Sequence, residues 1–395
     1  MNQLVTLRKS HETWGGSKII KLNKPFIPAS SRDYANLSLS GPHQQGDGEF
    51  SEKSAAILSL MHGGSDVLLT PSCTHSLEMA GMLANLSPGD QVILPSFNFS
   101  SGAIAIERFG AVPVFVDIDP KTKCIDTVAA RAAVTNRTKA ISWVNYGGAS
   151  PQIEELLKLK KEFDLFLIED NAHGLGGTYK GLPLGTFGDV SCLSFHATKN
   201  IQCGEGGALV INDSSLSERA RVIREKGTNR SRFMLGEIQK YEWIGPGSSY
   251  LMADVLAAIL LGQLEMFDEI HENRKDSWER YYEYFTGKES NSFELPSGDF
   301  ETNRNLAHNF YLELRDENER TVLTKILKHH EIDAAFHYQP LHKSPAGLQY
   351  SPYGQQLITS ESVAVKILRL PLYYNLEHQL WEKLEQAMEE FGQSI

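Results

Sequence analysis

A lysine followed by a glycine-rich turn is the feature of this chain best suited to carry chemistry. Lys199 lies in the run Ser194-Phe195-His196-Ala197-Thr198-Lys199-Asn200, and Gly204-Glu205-Gly206-Gly207 follows within a few residues. An amine that a fold shields from water and aims at a carbonyl can form a Schiff base. A lysine near glycines is more often a solvated loop residue, so this segment alone leaves both interpretations open.

A carboxylate upstream favours the catalytic interpretation. The apolar run Phe166-Leu167-Ile168 is followed by Glu169 and Asp170, and a buried parallel strand would deliver such an acid to the mouth of an open sheet. Lysine to bind an aldehyde and aspartate to keep a pyridine nitrogen protonated are the two groups that pyridoxal 5′-phosphate (PLP) requires. The alternative for Asp170 is a helix cap, which is common at a strand end.

A phosphate site is predicted at a helix start. Thr70-Pro71-Ser72-Cys73-Thr74-His75-Ser76 connects the strand Val67 to Leu69 with a largely apolar helix, and free N–H groups together with the helix dipole favour an anion there. Thr74 and His75 are the predicted contacts. An N-cap or turn hydroxyl is the alternative for this segment.

From about Leu22 to the last helix, these motifs resemble the DegT/DnrJ/EryC1/StrS family of sugar aminotransferases. The blocks Arg224-Glu225-Lys226-Gly227-Thr228-Asn229-Arg230-Ser231 and Gly247-Ser248-Ser249-Tyr250-Leu251-Met252 resemble its subgroup of dTDP-4-amino-4,6-dideoxygalactose transaminases of enterobacterial surface-polysaccharide pathways. The resemblance implies that Lys199 binds PLP and shuttles a proton. It implies further cofactor contacts from Asp170 at the pyridine nitrogen, His173 near the 3′-oxygen, Ser194 at the phosphate and Phe99 on the ring face. Core packing is the alternative for His173 and Phe99.

A loop that departs from the family pattern bears on assembly. Much of the family carries Gly-x-Asn-x-Arg where this chain has Ser249 and Leu251, a change that the subgroup shares. The resemblance implies a homodimer in which Ser249 or its neighbours approach the partner's PLP phosphate. The apolar face Leu256, Ile259, Leu260 and Leu264 is expected either at that interface or in the chain's own core.

The resemblance implies a nucleotide-linked 4-keto-6-deoxyhexose as substrate, glutamate as amino donor and ping-pong kinetics. Lys226, Arg230, His337 and Tyr338 are the candidate sugar-nucleotide contacts, with a solvated charged surface as the alternative. A gluco-configured 4-amino product and a 3-keto substrate remain open. A related dehydratase replaces the lysine with histidine, which Lys199 argues against, and a non-catalytic scaffold would have lost one of the lysine, aspartate or phosphate-loop elements.

Composition excludes several function classes. The chain has 395 residues, a net charge of -11 and four scattered cysteines. Its acidic balance disfavours nucleic acid binding, and no apolar run is long enough for a membrane span. The cysteines are expected to be reduced, no metal site is predicted from the histidine spacing, and a cytoplasmic location is expected because no signal-peptide core is evident.

Alternating strands and helices must position these side chains. Strands are predicted at 91–94, 112–116, 139–144 and 165–168, with helices at 102–109, 127–133 and 153–163 between them, and a long helix at 252–285. This pattern predicts an α/β fold, PLP-dependent aminotransferase fold type I, with a mostly parallel sheet in a large domain and a smaller C-terminal α/β domain. The predicted divisions are 1–21 as an extension, 22–250 and 251–395.

Overall fold

The computed structural model describes residues 19–43, 45–288, 292–296, 307–352 and 354–394. The strands are β1 (Asp66–Thr70), β2 (Gln91–Pro95), β3 (Val112–Val116), β4 (Thr138–Val144), β5 (Phe166–Asp170), β6 (Thr178–Tyr179), β7 (Leu182–Pro183), β8 (Val190–Ser194), β9 (Gly207–Ile211), β10 (Phe293–Glu294), β11 (Phe310–Leu314) and β12 (Ile367–Leu370). The helices are α1 (Ala29–Ser40), α2 (Glu49–Met61), α3 (Cys73–Leu83), α4 (Ser100–Glu107), α5 (Thr127–Ala132), α6 (Ile153–Phe163), α7 (Ser217–Arg224), α8 (Arg230–Met234), α9 (Asp254–Glu265), α10 (Phe267–Phe285), α11 (Glu317–His329), α12 (Ile358–Lys366) and α13 (Gln379–Ser394).

A seven-stranded sheet in the order β1-β9-β8-β5-β4-β2-β3 forms the centre of the larger layer. The pairs β2–β3, β2–β4, β4–β5 and β5–β8 are parallel, whereas β9 is antiparallel to both β8 and β1. The predicted α/β fold with a mostly parallel sheet is therefore confirmed. All strands of this sheet except β9 run in the same direction, so their carboxyl ends meet at one edge.

The strands and helices between residues 91 and 170 were predicted to within two residues at each end, because their apolar periodicity is strong. Helix α6 is an example: Ile153, Leu156 and Leu159 are buried on one face. Acidic residues occupy its first turn and Lys160 and Lys161 its last, which suits the helix dipole. It ends at Asp164, which has a left-handed backbone conformation.

Two helices before residue 66 were not predicted, and one prediction was too long. Helices α1 and α2 are short amphipathic elements rich in serine, and both pack on α9. The predicted helix at 252–285 is interrupted at Met266, where the backbone leaves helical geometry between α9 and α10. Leu260 and Leu264 are buried within this chain's own core. Of the two expectations for this face, packing in the chain's own core is therefore the one that holds for Leu260 and Leu264, and α1 and α2 pack on the same helix.

A second core surrounds the antiparallel sheet β10-β11-β12 and the helices α10, α11 and α13. Ile20, predicted to belong to an N-terminal extension, is buried in this core and pairs with Ile332. Residues 1–18 of that extension lie outside the described residues. Residues 334–338 form no strand in the structure and make a single bridge, from Ala335 to Arg369. The domain divisions stay a prediction.

Within the described ranges, no helix is long and apolar enough to span a membrane.

A buried glutamate fixes the chain beside Asp170. Glu169 Oε1 accepts hydrogen bonds from Asn145 Nδ2 at 2.8 Å and Gly185 N at 2.7 Å. Its Oε2 accepts from Phe187 N at 3.0 Å and Gly188 N at 3.3 Å. The side chain is fully buried. Four donors therefore converge on one carboxylate, which holds the end of β5 against the loop before β8.

Glu169→Gln is expected to lower the apparent melting temperature by roughly 1–4 °C, because an unsatisfied buried donor costs about 1–3 kcal/mol and the shift per kcal/mol is small for a chain of this size. Either orientation of the new amide leaves its NH2 group facing two N–H donors, because each carboxylate oxygen accepts two of them. Differential scanning fluorimetry measures the shift. The control is Glu162→Gln at an exposed ion pair with Arg131, which should change the melting temperature little. Equal melting temperatures for the two variants would contradict this role for Glu169.

Candidate active site

The segments that follow the parallel strand ends meet at the edge of the seven-stranded sheet. The residues placed there are Cys73 after β1, Phe99 after β2, Tyr146 after β4, His173 after β5 and Lys199 after β8. Ligands of open α/β sheets bind outside the carboxyl ends of the strands. The predicted catalytic residues thus lie at the edge where this fold places ligands.

Lys199 is held in a tight turn. Phe195 N donates to Gly206 O at 2.8 Å, Ala197 N to Gly204 O at 2.9 Å and Lys199 N to His196 O at 2.8 Å. Burial lowers the pKa of Lys199 to about 8, partly offset by the nearby Cys73 and Asp170. The amine is therefore far closer to its neutral, nucleophilic form at neutral pH than an ordinary lysine is.

Asp170 is a buried carboxylate at the end of β5 with an available oxygen. Its side chain is 6% exposed, and its Oδ1 accepts a hydrogen bond from Ala172 N at 3.1 Å. The structure gives Oδ2 no hydrogen bond from the described residues. Burial raises the pKa of Asp170 to about 6, and the Ala172 hydrogen bond and Lys199 limit that rise. A protonated ring nitrogen would offset the cost of this burial by donating to Oδ2.

Three histidine rings stack close to Lys199 and Asp170. The rings of His173 and His308 lie 4.1 Å apart at 21°, and His337 lies 6.3 Å from His173 at 12°. Burial lowers the pKa of all three imidazoles, and Lys199 lowers each further. The stack is therefore neutral at physiological pH and presents hydrogen-bonding edges without adding positive charge.

Aromatic rings extend this surface from the stack towards Phe99. His337 stacks on Tyr338 at 4.0 Å, and its Nδ1 lies 3.1 Å from Tyr146 Oη. Tyr338 also contacts Phe99, with ring centroids 6.2 Å apart. Phe99 is 60% exposed, so its ring is free to contact a planar ligand. The predicted residues Phe99, His173, His337 and Tyr338 thus form one continuous group of rings.

The predicted phosphate residues meet in a second corner. Ser72 caps α3, accepting from His75 N at 3.2 Å, and Thr74 Oγ1 lies 2.8 Å from Ser101 Oγ. Ser194 pairs with Gly207 across β8 and β9. A Cβ atom at residue 207 would lie 2.4 Å from Cys73 N, so only glycine allows this close approach. Gly207 therefore lies between Ser194 and the start of α3.

Ser249, Lys226 and Arg230 lie together in a different segment. Ser249 forms a backbone bridge with Glu225, and Lys226 N donates to Ser248 O at 2.9 Å. The Arg230 guanidinium pairs with Glu225 Oε2 at 2.9 Å, so its charge is already matched within the chain. The cofactor contact of Ser249 and the substrate contacts of Lys226 and Arg230 stay predictions.

Comparisons with known proteins agree with this geometry. A model of the DegT/DnrJ/EryC1/StrS aminotransferase family matches residues 35–389. The chain belongs to this family. It is 32% identical over 342 residues to the spore coat polysaccharide biosynthesis protein SpsC of Bacillus subtilis, covering 84% of this chain and 85% of SpsC.

Solved structures extend the likeness to the whole fold. The aminotransferase TlmJ from Streptoalloteichus hindustanus superposes with a TM-score of 0.86 at 26% identity, covering 95% of this chain and 99% of TlmJ. DesI, solved in the presence of its TDP-sugar product, superposes with a TM-score of 0.83 at 25% identity, covering 94% of this chain and 93% of DesI. The chain is a PLP-dependent sugar aminotransferase of fold type I.

The site fits the cofactor of this aminotransferase family. Asp170 Oδ2 is available to a ring nitrogen, Lys199 has a depressed pKa suited to an aldehyde, and the corner at Ser72 offers an anion the start of α3. The residues that would hold PLP are therefore Lys199, Asp170, His173, Thr74 and Ser194. Their individual roles stay predictions.

Sequence reasoning missed His308 and Arg369. His308 Nδ1 lies 3.1 Å from Asn200 Oδ1, next to Lys199, although more than 100 residues separate the two segments in the chain. Arg369 interrupts an otherwise apolar strand, Ile367-Leu368-Arg369-Leu370. That interruption was a readable signal, whereas nothing in the sequence around His308 indicates its stacking partner.

The remaining histidine pair lies away from these residues. His330 Nε2 lies 2.9 Å from Glu390 Oε2, and His329 Nδ1 lies 3.7 Å from the same oxygen. No metal site was predicted here, because the histidine spacing is wrong for one. The three groups are close enough together to share an ion, although His329 is largely exposed.

We expect the Lys199 amine of the cofactor-free enzyme to become reactive as the pH rises through about 8. Burial disfavours the charged form, so the neutral amine appears at lower pH than in free lysine, whose pKa is about 10.4. Competitive acetylation followed by mass spectrometry measures the midpoint for the peptide containing Lys199, with free lysine as the standard. A midpoint close to that of the standard would show that Lys199 is solvated.

Proposed function

We propose that this aminotransferase moves the amino group of glutamate to the C4 ketone of dTDP-4-dehydro-6-deoxy-D-glucose. The products are 2-oxoglutarate and dTDP-4-amino-4,6-dideoxygalactose, a sugar for surface-polysaccharide synthesis. The observation that carries the reaction type is the desolvated pair of Lys199 and Asp170 at the mouth of the sheet. The substrate class is supported by the TDP-sugar product of DesI and by the polysaccharide pathway named for SpsC.

Different residues have separate roles in the proposed reaction. PLP, when bound, supplies an electron sink for the carbon that carries the amine. Lys199 holds the cofactor and, once displaced by the donor amine, carries a proton to and from the substrate carbon. A pKa of about 8 suits an acid and base that must act near neutral pH. Asp170 keeps the ring nitrogen protonated, and the neutral stack at His173 excludes water without repelling the lysine.

Two rival reactions differ in product or substrate. A gluco-configured product would place the new amine equatorially, and a 3-keto substrate would move the amination by one carbon. The blocks 224–231 and 247–252 resemble the galacto-forming subgroup and favour the axial C4 amine. Lys199, Asp170 and the helix start at Ser72 are all present. Their presence favours catalysis over a scaffold role.

Incubation of the PLP-loaded enzyme with glutamate and the 4-ketosugar nucleotide should give an axial C4 amine. NMR of the product measures its configuration, because an equatorial H4 couples weakly to H3. Lys199→Ala is the negative control, since it removes the only residue proposed to carry the proton, and Lys158→Ala at an exposed helix pair is the matched control. Amination of a 3-ketosugar instead, or an equatorial product, would contradict the proposed substrate or stereochemistry.

We also propose that the enzyme is a homodimer with shared sites, in which Ser249 approaches the partner's cofactor phosphate. The support is an apolar surface on the segment from the end of α8 to Ser249. Its exposed members, with exposed fractions, are Met234 (65%), Leu235 (74%), Tyr241 (47%), Trp243 (81%) and Ile244 (54%). An apolar patch of this kind marks an interaction site on a soluble protein.

The double variant Leu235→Glu, Trp243→Glu should shift the protein from dimer to monomer and abolish most turnover. Charges in the apolar patch would be desolvated without partners at the interface. Sedimentation velocity at micromolar concentration measures the state, with Val128→Lys, at an exposed residue of α5, as the control. An active wild-type monomer would contradict shared sites.

A further inference from the structure

Two histidines and a glutamate meet on the surface of the small layer. His329 is the last residue of α11, His330 caps that helix, and Glu390 lies in α13. Glu390 Oε2 lies 2.9 Å from His330 Nε2 and 3.7 Å from His329 Nδ1. One ligand atom from each of the three residues lies within 4.8 Å of the other two. The proposed transamination uses none of these three side chains.

The backbone at the end of α11 fixes the two histidines. Ile332 N donates to Leu327 O at 2.8 Å across Glu331, which has a left-handed backbone conformation with a φ of 60°. This pattern is a Schellman cap, which holds the last residues of a helix in place. His329 and His330 are therefore presented by an ordered helix end.

Glu390 is placed by the packing of α13 against α11. Leu327 of α11 and Leu384, Ala387 and Phe391 of α13 are buried in the same core. Glu390 directly precedes Phe391, so the core contacts of its neighbours determine where it lies. The third group thus comes from a helix 60 residues further along the chain than His330. Histidine spacing alone does not reveal such a site.

The electrostatics at this position favour a cation. The carbonyl groups at the end of α11 carry the negative end of the helix dipole. Lys383, two turns before Glu390 in α13, pairs with Glu331 at 2.5 Å, so its charge is matched within the chain. Lys328 is the opposing charge on α11 itself, but it is exposed and solvent screens it.

The ligand types select the class of ion. Imidazole nitrogens bind zinc and neighbouring transition metals, whereas magnesium and calcium take oxygen ligands. Bonds of about 2.0–2.2 Å from two histidines and a carboxylate to zinc place neighbouring ligand atoms about 3.3 Å apart in a tetrahedral site. The observed contacts at 2.9 and 3.7 Å bracket this spacing. His329 is 75% exposed, which leaves room for water to complete the coordination.

We propose that His329, His330 and Glu390 form a zinc site that joins the end of α11 to α13. Water supplies the remaining coordination. The role of the ion is structural, because an ion that binds the folded chain and bridges two helices stabilises their packing. The site is separate from the residues of transamination, so this inference does not rest on the proposed function.

Zinc titration of the untagged, PLP-loaded enzyme tests the inference. Isothermal titration calorimetry with Zn²⁺ should show one site per chain of roughly micromolar affinity, and Mg²⁺ should not occupy it. His329→Gln, His330→Gln and Glu390→Gln should each weaken zinc binding by at least roughly tenfold, since even outer-shell partners of a metal contribute that much. A wild-type chain that binds no Zn²⁺ at about 100 times that concentration overturns the inference.

The matched control is His378→Gln, at an exposed histidine directly before α13. It should bind zinc like the wild type. Equal melting temperatures in the absence of zinc show that each variant is folded, because a partly exposed ion pair contributes little stability. Wild-type zinc affinity in folded His330→Gln and Glu390→Gln variants would assign the ion elsewhere and overturn the inference.

X-ray absorption at the zinc edge identifies the ligand atoms. The proposed site predicts nitrogen and oxygen at about 2.0–2.2 Å, whereas a cysteine would add sulfur at about 2.3 Å. A sulfur ligand would therefore contradict the proposed ligand set.

Differential scanning fluorimetry tests the structural role. Saturating zinc should raise the melting temperature of the wild type by a few degrees and leave that of Glu390→Gln unchanged. Zinc that binds these residues without raising the melting temperature would overturn the stabilising role.

Discussion

The structure depends on keeping Lys199 and Asp170 in one poorly solvated corner at the carboxyl edge of the sheet. Burial pushes the pKa of the amine down to about 8 and that of the acid up to about 6, so each charge is destabilised by the same lack of water. Neither side chain would be useful if it were solvated. The fold must therefore hold both in place at a free-energy cost that its remaining contacts offset.

Rigid packing around the two residues supplies that support. Glu169 gathers four donors one residue before Asp170, and the backbone bonds from Phe195, Ala197 and Cys203 close the turn that holds Lys199. Both supports lie next to the reactive residue in the sequence. The antiparallel β9 returns the chain so that Gly207 packs against the start of α3, which joins the lysine turn to the phosphate corner.

The sequence predicts the part of this arrangement that depends on local pattern. The strands and helices between residues 91 and 170 have clear apolar periodicity, and the lysine and aspartate motifs lie where strands end. The break at Met266 was not predictable in the same way, because apolar residues continue through it from α9 into α10. Nor was the burial of Leu260 and Leu264, which depends on α1 and α2, two serine-rich helices with weak amphipathic pattern. His308 reaches the turn of Lys199 through tertiary packing, which periodicity does not encode.

Burial of the histidine stack keeps the charge in the candidate site on few side chains. His173, His308 and His337 are kept neutral by burial, so this stack adds no positive charge beside Lys199. If the stack were protonated, its charge would attract any anion and would lower the pKa of Lys199 further. Neutral imidazoles and tyrosine hydroxyls instead offer a hexose hydrogen-bonding partners of both kinds. In the proposed reaction, a neutral polar surface beside Lys199 would therefore contact the uncharged sugar ring without adding a further positive charge to the site.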